Sequence, residues 1–244
     1  MIASKINGVT TPGGIVLDLG GRSVTVAVRR SVRARRLSLK LDPALGPLLV
    51  LPPRARLAEA ESFLLHHRVW LAERLARQPE RIALVAGARL PLLGVEHEIR
   101  HAPEARRGVW AEDGILHVSG RAEHLPRRVT DFLKAEARRR IHALTFTLAA
   151  RLGRTPARVT VRDTRSRWGS CSSRGDLSFS WRLVLAPETV LTYVVAHEVA
   201  HLAEMNHSAA FWRVVAELVG DPAPAKRWLT ANGAKLHRYE AGPR

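Results

Sequence analysis

Apolar and polar positions alternate in two early segments, Val24, Val26 and Val28 against Ser23, Thr25 and Ala27, then Leu37, Leu39 and Leu41 against Ser38 and Lys40. A pleated strand turns successive side chains to opposite faces, so both segments predict half-buried strands. Gly46-Pro47 marks a turn into a third apolar run over residues 48–51, which Pro52-Pro53 ends. Over residues 57–77 the period lengthens toward 3.6: Leu57, Ala60, Leu64, Val69 and Leu71 form one stripe, and Pro79 closes the predicted helix. A second group of short strands, about residues 90–100 and 108–118, is punctuated by Gly94, Pro103, Gly114 and Gly120.

Past Pro126 the pattern becomes mostly helical. Residues 127–152 carry an apolar stripe of Val129, Phe132, Leu133, Ile141, Leu144 and Leu148, and Gly153 ends it. Two strands follow, over residues 157–161 and 177–184, joined by a loop rich in Ser, Arg and Gly. Pro187 can open a helix, because its missing N–H costs nothing in a first turn, and that helix is expected to run to about Met205. Two short helices, 209–219 and 223–230, complete the pattern. The predicted class is α+β, with a β-rich region carrying one helix over 1–125 and a second domain over 126–244.

Composition narrows the class further. A chain of 244 residues that is 46% apolar and 25% charged can bury a real core. Its single cysteine, Cys171, excludes an intramolecular disulfide framework and favours a reducing compartment. No window approaches the roughly 18 uninterrupted apolar residues of a membrane span, so a soluble, cytoplasmic protein is expected. The net charge is +17, with 34 Arg against only 5 Lys. A GC-rich genome writes that bias by codon usage alone; a polyanionic partner, nucleic acid among them, is the competing explanation.

The sharpest chemical signal is His197-Glu198-Val199-Ala200-His201 within the helix that Pro187 opens. Residues four apart on a helix are separated by about 40° and roughly 6 Å of rise, so both imidazoles share a face and can share one metal ion. The neighbouring carboxylate then reaches a water on the metal rather than the metal, which is the general-base position of a metalloprotease. Catalytic zinc takes about three protein ligands and keeps one position open. His207 is the candidate third ligand; its spacing requires the helix to end and the chain to turn back, with Asn206 the expected turning residue in left-handed conformation. Two rival readings stand beside this one. The histidines can be ordinary polar residues with a solvated Glu198, or the metal can be structural and closed by a fourth ligand such as Cys171.

These residues also carry a family resemblance. The segments Asp163-Thr164-Arg165-Ser166-Arg167-Trp168-Gly169-Ser170-Cys171-Ser172, Leu177-Ser178-Phe179-Ser180-Trp181-Arg182-Leu183, Tyr193-Val194-Val195-Ala196-His197-Glu198 and Asn206-His207-Ser208-Ala209-Ala210-Phe211-Trp212 closely resemble the YgjP-like metallopeptidases. The resemblance is strong from about residue 160 to 230 and weak in the N-terminal strands. It implies a minimal zincin-like catalytic domain related to the SprT and WLM metalloproteases, with zinc (Zn2+) on His197, His201 and His207 and Glu198 as base. The histidine spacing also matches the metzincins, but Glu204 stands where those have Gly and no Met-turn sequence follows.

Around that centre the alternation of Leu177, Phe179, Trp181 and Leu183 with Ser178, Ser180 and Arg182 suggests an edge strand on which a peptide substrate could pair, or else plain core scaffold. In the 165–172 loop, Arg167 or Ser170 is a candidate to stabilise an oxyanion. The alternative is a structural turn in which Trp168 packs and Gly169 supplies backbone freedom. The expected activity is a zinc-dependent endopeptidase acting on protein or peptide. The competing classes are a metal-dependent nucleotide or phosphoanhydride hydrolase and a DNA-associated protease of the SprT type.

Overall fold

A computed structural model describes residues 14–42, 46–76, 81–164 and 167–240. The chain divides into two compact units, Met1–Pro79 and Glu80–Arg244. The division comes well before residue 125 because the strands that precede that point share a core with the long helix that follows it. Leu90, Ile99, Leu116 and Val118 are buried in one cluster with Val129, Leu133 and Ile141.

In the first unit, β1 (Gly14–Asp18), β2 (Ser23–Arg30), β3 (Ser38–Asp42) and β4 (Gly46–Leu51) form a sheet in the order β1-β2-β4-β3. β2 and β4 are parallel and the outer pairs antiparallel. The predicted helix is two, α1 (Leu57–His66) and α2 (Arg68–Ala76), separated at His67. Ala60, Leu64 and Leu71 pack on Ile15, Leu17, Val26, Leu49 and Leu51. Leu57 and Val69 do not belong to that stripe and are exposed, Leu57 because it is the first helical residue and Val69 because it lies five residues past Leu64.

The second unit opens with β5 (Ile82–Ala83), which pairs in parallel with the late strand β13 (Tyr239–Glu240). β6 (Arg89–Leu92), β7 (Val95–His101), β8 (Val109–Glu112) and β9 (Ile115–Val118) form a sheet in the order β6-β7-β9-β8. Helix α3 (Leu125–Arg151) has the predicted stripe, with Val129, Leu133, Ile141 and Leu148 buried and Phe132 and Leu144 packed partly against the same core. Gly153 ends it at φ +62°, a left-handed conformation that favours glycine.

A second sheet holds β10 (Arg158–Arg162), β11 (Gly169–Cys171) and β12 (Asp176–Ser180) in the order β10-β12-β11. Here the structure departs from the expected strand. The apolar alternation runs to Leu183, but the strand stops at Ser180 and residues Trp181–Leu185 wind into a 3-10 turn in which all five side chains are buried. Arg182 is among them, 2% exposed, stacked on the Trp181 ring and paired with Asp163. Helices α4 (Glu188–Ala200), α5 (Ala209–Val219) and α6 (Ala223–Leu236) complete the unit, α6 running six residues past its expected end.

One contact sets where α4 begins. Leu93 and Gly94 form the β6–β7 turn with φ of +52° and +81°, a two-residue geometry whose twist suits a hairpin. The Leu93 N–H donates to the Val184 carbonyl at 2.7 Å, and a Cβ on Gly94 would lie 2.9 Å from Pro187 Cα. The hairpin tip thus rests on the first turn of α4, and only a glycine leaves the space. No helix among the described residues is long and apolar enough to cross a membrane.

Candidate metal centre

Helix α4 is the spine of the site. Nine of its thirteen residues are buried, so it is apolar on nearly every side and threads the core. It ends at Ala200, earlier than the periodicity suggests: His201 is the C-cap, and turn bonds from the N–H groups of Leu202, Ala203 and Glu204 back to Val199 and Ala200 unwind the chain. His201 keeps helical dihedrals, φ −65° and ψ −16°, so its four-residue relation to His197 survives. Asn206 is not the left-handed turning residue; among the described residues only Leu93 and Asp113 have positive φ without being glycine. The reversal comes from the turn at 201–204, and the Asn206 carbonyl accepts the Ser208 N–H at 2.7 Å. Ser208 then caps α5, its hydroxyl accepting the Phe211 N–H at 3.4 Å, and this fixes the residue before it, His207, at the helix entrance.

The result is convergence. One ligand nitrogen from each of His197, His201 and His207 lies within 4.8 Å of the others. The Nε2 atoms of His197 and His207 are 3.1 Å apart. Two lone-pair nitrogens this close repel unless a proton or cation lies between them, so the donor set suits a metal ion. His201 can donate its Nδ1 proton to the Glu204 carbonyl at 3.1 Å, which leaves Nε2 free to coordinate. Burial and the neighbouring imidazoles push His197 down to about 4, and burial also lowers His201, so both are neutral, as ligands must be. His197 Nδ1 has no hydrogen-bond partner among the described residues. Its ring is held instead by packing, with Tyr193, Phe211 and Trp212 at 6.0, 5.0 and 5.8 Å.

Phe211 is the floor of the cluster. Fully buried, its ring centroid lies 5.0, 4.5 and 4.7 Å from those of His197, His201 and His207. The Lys226 ammonium sits 5.0 Å over the adjacent Trp212 ring. Cys171 is not part of the convergence. Its Sγ lies 3.3 Å from the Ser172 carbonyl, and burial pushes the thiol up to about 11, the opposite of what a thiolate ligand requires.

Glu198 is 7% exposed, and burial raises its carboxyl to about 7 against an opposing pull from the Arg167 cation. Its wall is Gly169 on β11: a Cβ there would stand 2.5 Å from Glu198 Cγ and 2.6 Å from Oε1. Gly169 is therefore required by close approach, not by the backbone freedom the sequence suggests; its φ is not in the left-handed range. Trp168 packs as the structural alternative expects, stacking on His237 at 5.0 Å with its indole against Gly233.

The candidate substrate residues separate. Arg167 is exposed on the Glu198 side, and Ser170 is half-buried on β11 beside Gly169. Phe179 and Ser180 are fully buried, and the Ser180 hydroxyl donates to the Thr164 carbonyl at 3.2 Å. Both belong to the scaffold, because β12 is the middle strand, parallel to β10 and antiparallel to β11. The edges of this sheet are β10 and β11; β11, which carries Gly169 beside Glu198, is the edge next to the site and is too short to announce itself by alternation. The charge also finds partners at home: Arg139 pairs with Glu136 at 2.7 Å, and Arg140 reaches Glu136 and Glu188. The Arg151 guanidinium donates to the Glu217 and Leu218 carbonyls at the end of α5. Arg165 and Ser166 lie outside the described residues.

No curated protein matches the chain. Among solved structures, the crystal structure of the metallopeptidase zymogen of Pyrococcus abyssi abylysin is 24% identical, with 41% of this chain and 98% of that chain covered and a TM-score of 0.35. Residues 35–232 match the family described as YgjP-like, metallopeptidase domain. That match takes in most of both units and every histidine of the cluster, and on it the chain belongs to the YgjP-like metallopeptidase family.

Proposed function

We propose that the chain is a zinc-dependent endopeptidase in which His197, His201 and His207 hold the metal and Glu198 is the general base. The observation that carries this reading is the three-histidine cluster, with ligand atoms within 4.8 Å, built next to a buried carboxylate that is not one of its members. Bound zinc would supply a Lewis acid for the scissile carbonyl and a coordinated water acidified to about pKa 7. Glu198 takes the proton from the attacking water and returns it to the leaving amine, so one carboxylate serves as base and then as acid. Gly169 leaves that carboxylate room, and the Arg167 cation opposes its protonation. The free side of β11 offers main-chain groups to an extended peptide, which would lie beside Glu198 because Gly169 does.

The test separates base from ligands. Glu198→Gln should retain stoichiometric zinc by elemental analysis and lose casein or peptide hydrolysis; retained hydrolysis overturns the assignment of the base. His207→Ala should lower zinc content, and unchanged stoichiometry removes His207 from the ligand set. Hydrolysis of nucleotides but not of peptides by the zinc-loaded chain would favour the phosphoanhydride reading instead.

A further inference from the structure

A second concavity opens beside the metal centre and shares a wall with it. Its volume is about 420 Å3, and Arg154, Thr155, Ser172, Ser173, Arg174 and His201 line it. No carboxylate is among its lining residues. Neither Arg154 nor Arg174 has an ion-pair partner among the described residues, in contrast to Arg139, Arg140 and Arg182. Two unpaired guanidinium groups with the Thr155 and Ser173 hydroxyls beside them make a receptor for an anion, since a guanidinium presents a fork of donors that matches a carboxylate; the Ser172 hydroxyl is already donated to the Asp176 carboxylate at 3.3 Å.

The walls are built, not accidental. Arg174 sits in the β11–β12 turn, which Ser172 staples: the Ser172 hydroxyl accepts the N–H groups of Arg174 at 3.3 Å and Asp176 at 3.1 Å. The turn is closed by the Gly175 N–H on the Ser172 carbonyl at 2.9 Å. Across from it, the Ala157 N–H donates to the Gly175 carbonyl at 3.0 Å, which ties the chain following α3, where Arg154 stands, to the same turn.

Position decides what the anion belongs to. β11 starts at Gly169, against the Glu198 carboxyl, and runs directly into the Ser172–Arg174 wall. At about 3.3 Å per residue, a peptide extended along β11 from the reacting bond reaches the cleft after two to four residues. His201 lies in both the cluster and the cleft, so the two adjoin.

We propose that this cleft is a specificity subsite for an acidic side chain, Asp or Glu, two to four residues from the scissile bond, held between Arg154 and Arg174. The inference rests on the peptidase reading above. Zinc-loaded protein is incubated with a proteome-derived peptide library, and cleaved products are read by mass spectrometry. Asp and Glu should be enriched at that distance on one side of the cut. In the Arg154→Gln/Arg174→Gln variant the ratio of kcat/KM for an acidic peptide over its amide analogue should fall about tenfold. Arg174→Glu should move the preference toward Lys and Arg, which a merely structural arginine would not do. Cleavage without acidic enrichment, or enrichment unchanged in the double variant, overturns the subsite. A library left uncut counts against the peptidase reading, and a binding measurement then decides the subsite by itself. The Glu198→Gln protein should bind a fluorescein-labelled acidic peptide about tenfold more tightly than its Asn/Gln analogue, and equal anisotropy curves overturn it.

Discussion

Each of the two units sets histidines against a phenylalanine, and only one of them converges. In the first, Phe63 stacks on His67 at 4.1 Å, and His66 meets His67 edge-on at 5.3 Å. Those histidines are adjacent in sequence, so a helix turns them about 100° apart, and the His67 Nδ1 is already bonded to the Phe63 carbonyl at 2.8 Å. In the second, the four-residue spacing aligns two rings, a helix end returns the third, and a buried Phe211 touches all three. Aromatic company for histidine is thus common to both, and it is spacing, a chain reversal and unspent ring nitrogens that separate a packed histidine from a cluster that could hold a metal.

The largest effect that could break this contrast is on metal. His197→Ala and His201→Ala should each reduce bound zinc toward zero after dialysis, whereas His66→Ala and His67→Ala should leave it at one per chain, as read by plasma mass spectrometry. Equal loss from both pairs would mean that convergence does not matter. Next in size is the floor: Phe211→Ala removes a fully buried ring and should cost about 3–5 kcal/mol in urea unfolding, while Phe63→Ala, only half-buried, should cost about half as much.

Gly169→Ala sharpens the comparison within the second unit by displacing Glu198 without touching a histidine. Zinc should stay bound and kcat should fall about a hundredfold, the expected result of shifting the proposed base by about 1 Å. Ser208→Ala is milder: losing the α5 cap should cost about 1 kcal/mol in the same unfolding experiment and weaken zinc retention through His207. The smallest expected effect concerns Cys171. With its thiol titrating near 11, iodoacetamide should modify it slowly at pH 8 and faster only as pH approaches that value, and zinc should not change the rate.

Much of the histidine cluster is legible in the amino-acid sequence alone. The His197–His201 pair and the requirement that the chain turn back to His207 follow from helical geometry, which a sequence states directly. The Val129–Leu148 stripe and the glycine that ends α3 are equally plain. What a sequence conceals depends on non-local neighbours. Residues Gly169–Cys171 form a strand only because β12 lies beside them, and three residues cannot show an alternation. The run from Leu177 to Leu183 alternates convincingly yet spans a strand and a 3-10 turn, because in a fully buried turn apolar side chains fit whatever the period. Helix α4 has no apolar stripe to read, since nearly every side of it is covered. The reason for Gly169 is also out of a sequence's reach, because the atom that excludes a side chain there belongs to Glu198, 29 positions later.

Two hairpin tips of the second unit, those of β6–β7 and β8–β9, look alike in backbone but differ as places to edit the protein. Both turn on two consecutive positive-φ residues, Leu93-Gly94 and Asp113-Gly114. At Gly114 the nearest atom to an added Cβ is the Glu96 carbonyl oxygen at 3.7 Å, ordinary contact, whereas Gly94 abuts Pro187 and its neighbour bonds Val184. An inserted epitope or label at 113–114 would therefore leave the helix bearing His197 where it is, while the same insertion at 93–94 would be transmitted along a buried helix to Glu198, the proposed base. In engineering terms, one tip is a handle and the other is part of the mounting.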